Sequence, residues 1–241
     1  MKYAVLADVH ANLAALEAVM KDIDHGKVDE LWCLGDLVGY GPDPAECINL
    51  IRQYCSFCVA GNHDWAAAGK ISTEYFNPEA AYAARWTTTK LAEDDIQYLA
   101  MLPLKINLEN FSLVHGSPRE PIWEYVLSTN VAEENLRFLE TSCCFLGHSH
   151  VPLVFECQDS CTLRRFEVDV PLNLSVKRLF VNPGSVGQPR DRDPRASYAI
   201  FDNNTNQIVL YKVPYDISAV QRRMAAAALP RSLIERLKYG A

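Results

Sequence analysis

Five short apolar runs in this 241-residue chain each close on a glycine-punctuated or histidine-bearing polar motif. In chain order the motifs are Asp8-Val9-His10, Gly35-Asp36, Gly61-Asn62-His63-Asp64, Val114-His115-Gly116 and Gly147-His148-Ser149-His150, and they hold five of the six histidines. In open α/β sheets ligands bind at the carboxyl ends of the strands. The pattern therefore constrains fold and chemistry together, because strands far apart in sequence must align so that their imidazole and oxygen donors meet. Such donors suit a divalent metal centre. The sixth histidine, in Asp24-His25-Gly26, reads as a helix-end or turn residue.

The first half of the chain alternates strands and helices. Lys2 to Ala7 is a short apolar run, and Asn12 is placed to cap a helix whose apolar positions Leu13, Leu16, Met20 and Ile23 follow helical spacing. Leu31 to Leu34 is a second strand, followed by the Gly/Pro loop Val38 to Pro44 and a helix from Ala45 to Gln53, and Cys58 to Ala60 is a third. This βαβαβ order predicts a parallel sheet. The alanine-rich segment 65–102, with Asn77-Pro78-Glu79 as a cap and first turn, is expected to form a helical cap beside the site. Strands at Phe111 to Val114 and Cys144 to Leu146 flank a helix around Val131 to Glu140. Consecutive strands follow at Leu153 to Cys157, Leu163 to Val168, Arg178 to Val181, Ser197 to Phe201 and Ile208 to Val213. Asp202 to Asn206 has the turn chemistry to join the last two as a hairpin. Helical patterns at Ile217 to Ala228 and Arg231 to Tyr239 close the chain, and the whole of 1–241 reads as one domain.

Composition narrows the function. A net charge of -7 argues against a long nucleic acid as partner, which normally demands a basic face. It does not exclude a small phosphate ester, since two bound cations would reverse the local field. Met1 to Ala7 is too short for the apolar core of a signal peptide, and no stretch is long enough to span a bilayer. The expected location is cytoplasmic, with the eight cysteines as reduced thiols. Cys55-Ser56-Phe57-Cys58 has half of a zinc spacing, with Cys157 and Cys161 as the one conceivable other half. Buried strand cysteines are the commoner use of such residues.

The order and wording of the five motifs, with a further echo in Asn182-Pro183-Gly184-Ser185, resemble the calcineurin-like metallophosphoesterases, and among them the small prokaryotic phosphodiesterases and diadenosine tetraphosphatase-like members. The resemblance implies an α/β fold, a four-layer α-β-β-α sandwich with two mixed β-sheets flanked by helices. It further implies that Asp8, His10 and His150 hold one metal and that Asn62, His115 and His148 hold a second, with Asp36 bridging the two. A hydroxide shared by the metals would be the nucleophile for phosphodiester or nucleotide phosphoanhydride hydrolysis. Manganese is the first choice of ion, and iron, zinc, cobalt and nickel suit the same donors.

By the same resemblance His63 contacts the substrate phosphate and stabilises the transition state or protonates the leaving oxygen, with Asp64 orienting it. Asp64 reads equally as a helix N-cap before Trp65. Asn62 and Arg190 join His63 as candidate phosphate-binding residues, while Arg192 and Arg195 read as parts of a solvated, ion-paired loop. Tyr40 either stacks on a base or covers its loop. Three other functions share the motif set. A phosphomonoesterase or protein phosphatase is one, although the family's protein phosphatases usually carry Glu where this chain has Asp64. A nuclease and a non-catalytic interaction module on the same fold are the others. Oligomeric state is not encoded in any of these features.

Overall fold

The computed structural model describes residues 1–23, 28–174 and 178–241, so His25 lies outside the described residues. Its elements run β1 (Lys2–Leu6), α1 (Leu13–Asp22), β2 (Glu30–Cys33), α2 (Pro44–Tyr54), β3 (Phe57–Cys58), α3 (Asn62–Ala67), α4 (Pro78–Thr88), α5 (Glu93–Met101), β4 (Lys105–Asn107) and β5 (Phe111–Val114). They continue with α6 (Thr129–Asn135), β6 (Cys143–Phe145), β7 (Leu153–Cys157), β8 (Cys161–Arg164), β9 (Leu172–Asn173), β10 (Arg178–Asn182), β11 (Ala196–Asp202), β12 (Gln207–Val213), α7 (Ile217–Ala226) and α8 (Arg231–Arg236). A short 3₁₀ turn at Thr73–Tyr75 lies between α3 and α4, and another at Leu136–Phe138 follows α6.

The strands form two six-stranded sheets, ordered β3-β2-β1-β11-β12-β9 and β4-β5-β6-β10-β7-β8. Both are mixed: β1 pairs in parallel with β2 and antiparallel with β11, and β10 pairs in parallel with β6 and antiparallel with β7. The alternation of β1 shows why the sheets stack. Tyr3, Val5 and Ala7 point one way and join Trp32, Leu113, Phe145 and Val181 in the core between the sheets. Ala4 and Leu6 point the other way, onto Leu16, Val19, Ile48 and Ile51 of α1 and α2. On the far side, Val114, Cys144, Phe155 and Phe180 meet Ala132 of α6. A strand with period-two side chains and two buried faces requires cover on both sides, which yields the expected four layers.

Helix starts follow their capping chemistry. Asn12 Oδ1 accepts from the amide of Ala15, and Asn77 Oδ1 accepts from that of Ala80, each with Leu or Pro opening the first turn. Asp43 stands at the N-cap of α2 with Pro44 at its first position.

Two expectations need correction. The strand at Leu163 to Val168 is in fact the shorter β8, Cys161–Arg164, because the turn after β7 sets Cys157 opposite Cys161. The chain then crosses to the other sheet, where Val168 bridges Leu210 and Leu172 pairs with Ile208. That same register brings the Cα atoms of Cys157 and Cys161 to 4.0 Å and joins the two as a disulfide, so not all eight cysteines are reduced thiols. The zinc alternative fails with it, since Cys58 belongs to the other sheet and Cys157 and Cys161 are used up. Among the described residues no helix is long and apolar enough to cross a membrane.

Candidate metal centre

Three of the five motifs, at Asp8–His10, Gly35–Asp36 and Gly147–His150, leave their strands through turns that an ordinary side chain rarely adopts. Asp8, His10, Asp36, Tyr40, His148 and His150 all have positive φ, between 48° and 64°. Left-handed backbone at a non-glycine residue costs about 1–2 kcal/mol, and its clustering at one rim marks a functional site. The loops hold one another in place: the amide of Asp8 donates to Gly35 O, that of His10 to Asp36 O, and that of His148 to the Asp8 carboxylate at 3.1 Å. The motif Asn182 to Ser185 supplies bracing. Asn182 Nδ2 donates to Gly147 O and Ser149 Oγ, and Ser185 Oγ donates to Asp8 O.

The side chains converge on two groups that share Asp36. One comprises Asp8, His10, Asp36 and His150, and the other Asp36, His115 and His148. Asp36 Oδ2 lies 3.5 Å from His10 Nε2 and 3.4 Å from His115 Nε2, so one carboxylate oxygen faces both groups. Asn62 Oδ1 sits 3.1 Å from His115 Nε2, which adds it to the second group. All of these side chains are buried.

The tautomers of four histidines follow from their neighbours. His10 Nδ1 donates to Val38 O, His115 Nδ1 to Leu34 O, His150 Nδ1 to Gln188 O and His148 Nε2 to Trp123 O, because a carbonyl can only accept. Each ring therefore turns its other nitrogen inward. Carbonyl-held imidazoles of this kind are the usual support of metal-bound histidine. The inward nitrogens then crowd: His10 Nε2 lies 3.1 Å from His150 Nε2, and His115 Nε2 lies 3.0 Å from His148 Nδ1. Lone pairs facing at that distance need a proton or a cation between them. The residues thus fit a pair of divalent ions, in donor type and in arrangement.

Ionisation follows the same logic. Burial holds His10, His148 and His150 below the ordinary imidazole range, His148 at about 3, so these rings are neutral as metal ligands must be. Burial would lower His115 too, but the Asp36 carboxylate and its hydrogen bond lift it to about 9. Burial and the nearby Asp36 push Asp8 up to about 8, against the pull of His115. Asp36 itself, despite burial, is kept well below the usual carboxylate range by His115, His63 and His10.

His63 stands beside these groups. Its amide donates to Asp36 Oδ1 at 2.8 Å, its ring packs against Tyr40, Phe76 and His10, and its buried Nδ1 has no hydrogen-bond partner among the described residues. Burial lowers it to about 4. The hydrogen bonds of Asp64 go to backbone amides and not to this ring, and the N-cap position of its helix is taken by another residue. Gly61 is the N-cap of α3, and the Asp64 carboxylate accepts from the amides of Gly61, Leu37 and Val38, tying the Asp36 loop to the start of the helix.

Arg190 reaches the same cavity of about 240 Å³ as Asp36, Asn62, His63, His148 and His150. Its guanidinium donates to Gln188 Oε1, and its buried Nε has no hydrogen-bond partner among the described residues. Arg195 is instead paired with Asp193, as a solvated loop requires. Tyr40 is 7% exposed, with its ring centroid 4.6 Å from that of His10 and 4.4 Å from that of His63, so it covers the loop and is too enclosed to stack on a base. Residues outside every motif complete the cavity: Tyr75, Phe76, Trp123 and Tyr125. The aromatic pairs in Tyr75-Phe76 and in Trp123-Glu124-Tyr125 are the sequence signals of their presence.

A family model described as a calcineurin-like phosphoesterase superfamily domain matches residues 1–206. An uncharacterized protein of Methanocaldococcus jannaschii, MJ0912, is 38% identical over 98% of this chain and 97% of its own length. The crystal structure of a metallophosphoesterase from Sphaerobacter thermophilus superposes with a TM-score of 0.91 at 44% identity, covering 100% of this chain and 99% of that one. A symmetrical bis(5'-nucleosyl)-tetraphosphatase from Erwinia tasmaniensis shares 33% identity over 67 residues, 27% of this chain and 24% of that protein.

Proposed function

The chain belongs to the calcineurin-like phosphoesterase superfamily, and from that premise we propose that it is a two-metal phosphohydrolase acting on phosphodiesters or nucleotide phosphoanhydrides. The observation that carries this reading is Asp36 Oδ2 facing His10 and His115 at 3.5 and 3.4 Å between two groups of inward, carbonyl-held imidazoles. Asp8, His10 and His150 would hold one ion, Asn62, His115 and His148 the other, and Asp36 both. When bound, such a pair supplies positive charge for the phosphoryl oxygens and makes a coordinated water easier to deprotonate. Manganese is the ion we expect.

The chain's own residues do the rest. The neutral His63 ring lines the cavity, suited to a hydrogen bond with a phosphoryl oxygen, and the approach of a phosphate anion favours its protonated form. The guanidinium of Arg190 adds a charge-assisted donor on the same wall. Asp64 acts at one remove, by fixing the backbone that carries Asp36, Asn62 and His63. Phe76, Asn77 and Ala80 line the cavity, which supports the segment 65–102 as its cap. The core shared by both sheets supports a single domain, and six free cysteines support a cytoplasmic location. The similarity to a nucleosyl tetraphosphatase favours a nucleotide substrate.

The test is hydrolysis by one preparation with measured manganese content. Bis(p-nitrophenyl) phosphate and a dinucleoside polyphosphate should be cleaved faster than p-nitrophenyl phosphate. Protein holding two ions that cleaves none of the three would refute the reading.

A further inference from the structure

The cavity above the metal groups has two unlike walls. One is polar, with Asn62, His63, His148 and Arg190; the other is formed by the rings of Tyr75, Phe76, Trp123 and Tyr125. Trp123 meets Phe76 edge to face at 5.3 Å and Tyr75 at 6.2 Å, so these rings stand around the opening and do not lie stacked on one another. Tyr75 is 78% exposed and Tyr125 46% exposed. Large rings left in water at the mouth of a polar site mark a surface meant to be covered.

The wall is also held rigid. Glu124, between Trp123 and Tyr125, accepts hydrogen bonds from Ser117 Oγ at 2.6 Å and Asn135 Nδ2 at 2.7 Å and pairs with Arg119. Trp123 O receives the Nε2 proton of His148, and the Tyr125 ring stacks on the His148 ring at 4.0 Å. A surface fixed in this way loses little entropy when a ligand covers it.

Resting on the phosphohydrolase reading, we propose that Tyr75, Trp123 and Tyr125 form a subsite for the nucleobase of a nucleoside phosphate whose phosphoryl group lies on the polar wall. Planar rings with exposed faces favour a flat, polarisable partner over an alkyl chain or a bare sugar, because stacking adds to the area buried. The volume sets the number of bases. About 240 Å³ falls below the roughly 300–1,000 Å³ of drug-sized sites, which leaves room for no more than one base.

The experiment is equilibrium binding of AMP and of ribose 5-phosphate to manganese-loaded protein, for wild type, Tyr75→Ala, Trp123→Ala and Trp123→Phe. Wild type should bind AMP at least about fivefold more tightly than ribose 5-phosphate, since a stacked base contributes roughly 5- to 160-fold. Each alanine variant should reduce that ratio several-fold, and Trp123→Phe should restore part of it. Equal affinity of wild type for the two probes, or a ratio that survives both alanine substitutions, would overturn the subsite. Tyr75 is exposed enough that its truncation leaves folding intact, so the result does not depend on Trp123→Ala being well folded. Binding is read without turnover. Failure of this subsite is therefore separate from failure of the hydrolase reading, which only the cleavage assays report.

Discussion

His10 and His150 face one another nitrogen to nitrogen at 3.1 Å, although each has already given its other ring nitrogen to a backbone carbonyl. Two lone pairs in that position repel unless a cation or proton sits between them. Added manganese should therefore raise the melting temperature, and a chelator should reverse the rise. At a free concentration about 100 times the dissociation constant, the gain is about 2.7 kcal/mol per site. A melting temperature unchanged by manganese would count against the assignment.

Affinity for the metal should depend on pH in a definite direction. Asp8 at about 8 and His115 at about 9 both sit above their ordinary values, so both retain a proton at pH 7 in the metal-free protein. Binding must expel those protons, so affinity increases as pH rises from 6, by up to about tenfold per unit at each group, and levels off above about 8 for the Asp8 group and about 9 for the His115 group. Titrations in buffers of different ionisation enthalpy would detect the released protons, and a flat profile would contradict the assignment of Asp8 and His115 as ligands.

Asp36→Asn should empty both groups together, since one oxygen faces His10 and His115. The expected result is loss of more than one ion per chain by elemental analysis, with loss of turnover. A variant that keeps one ion at full affinity would confine Asp36 to the other group.

His63→Gln should keep its metal and lose rate by about 10²–10⁴-fold, the usual worth of a positioned acid–base group. Gly39→Ala tests the same ring from behind. A Cβ at Gly39, where φ is +87°, would stand 2.3 Å from His63 Nδ1, so the ring must move. Both variants should bind manganese as wild type does. Metal loss in His63→Gln would make His63 a ligand.

Glu124→Gln should destabilise the loop that carries Trp123 and Tyr125. Partial burial works against the Glu124 charge, but Arg119, Asn135 and Ser117 lower the carboxyl from 4.5 to about 2. Its contribution is thus complete above pH 4.5 and disappears as pH falls towards 2. At pH 7 the substitution should cost about 1–3 kcal/mol in denaturant unfolding, and the difference between wild type and variant should shrink below pH 4. A constant difference across that range would show that charge plays no part.

The parts of this molecule legible in the sequence are those governed by local periodicity. Apolar runs at two-residue period, caps such as Asn12 and Asn77, and motif glycines are local properties of the chain, so the α/β order and the rim of donors could be read from them. Register was not legible. The turn at residues 158–160 sets Cys157 against Cys161, and nothing local distinguishes that pairing from a strand starting two residues later. The partner of Asp64 escaped for the same reason, since it binds amides of Leu37 and Val38 some 26 residues away.

Sequence alone therefore determined which residue types gather at the strand ends and which family they resemble, because the ligand chemistry is spelled in contiguous motifs. Tertiary structure decided what surrounds them: the carbonyls that choose each tautomer, the single Asp36 oxygen facing two groups, and the ring wall from Tyr75 to Tyr125. Those features are made by contacts between segments that no local pattern links. Only the packed chain, in which the loop bearing Trp123 meets His148 at 3.2 Å, brings them to the same cavity.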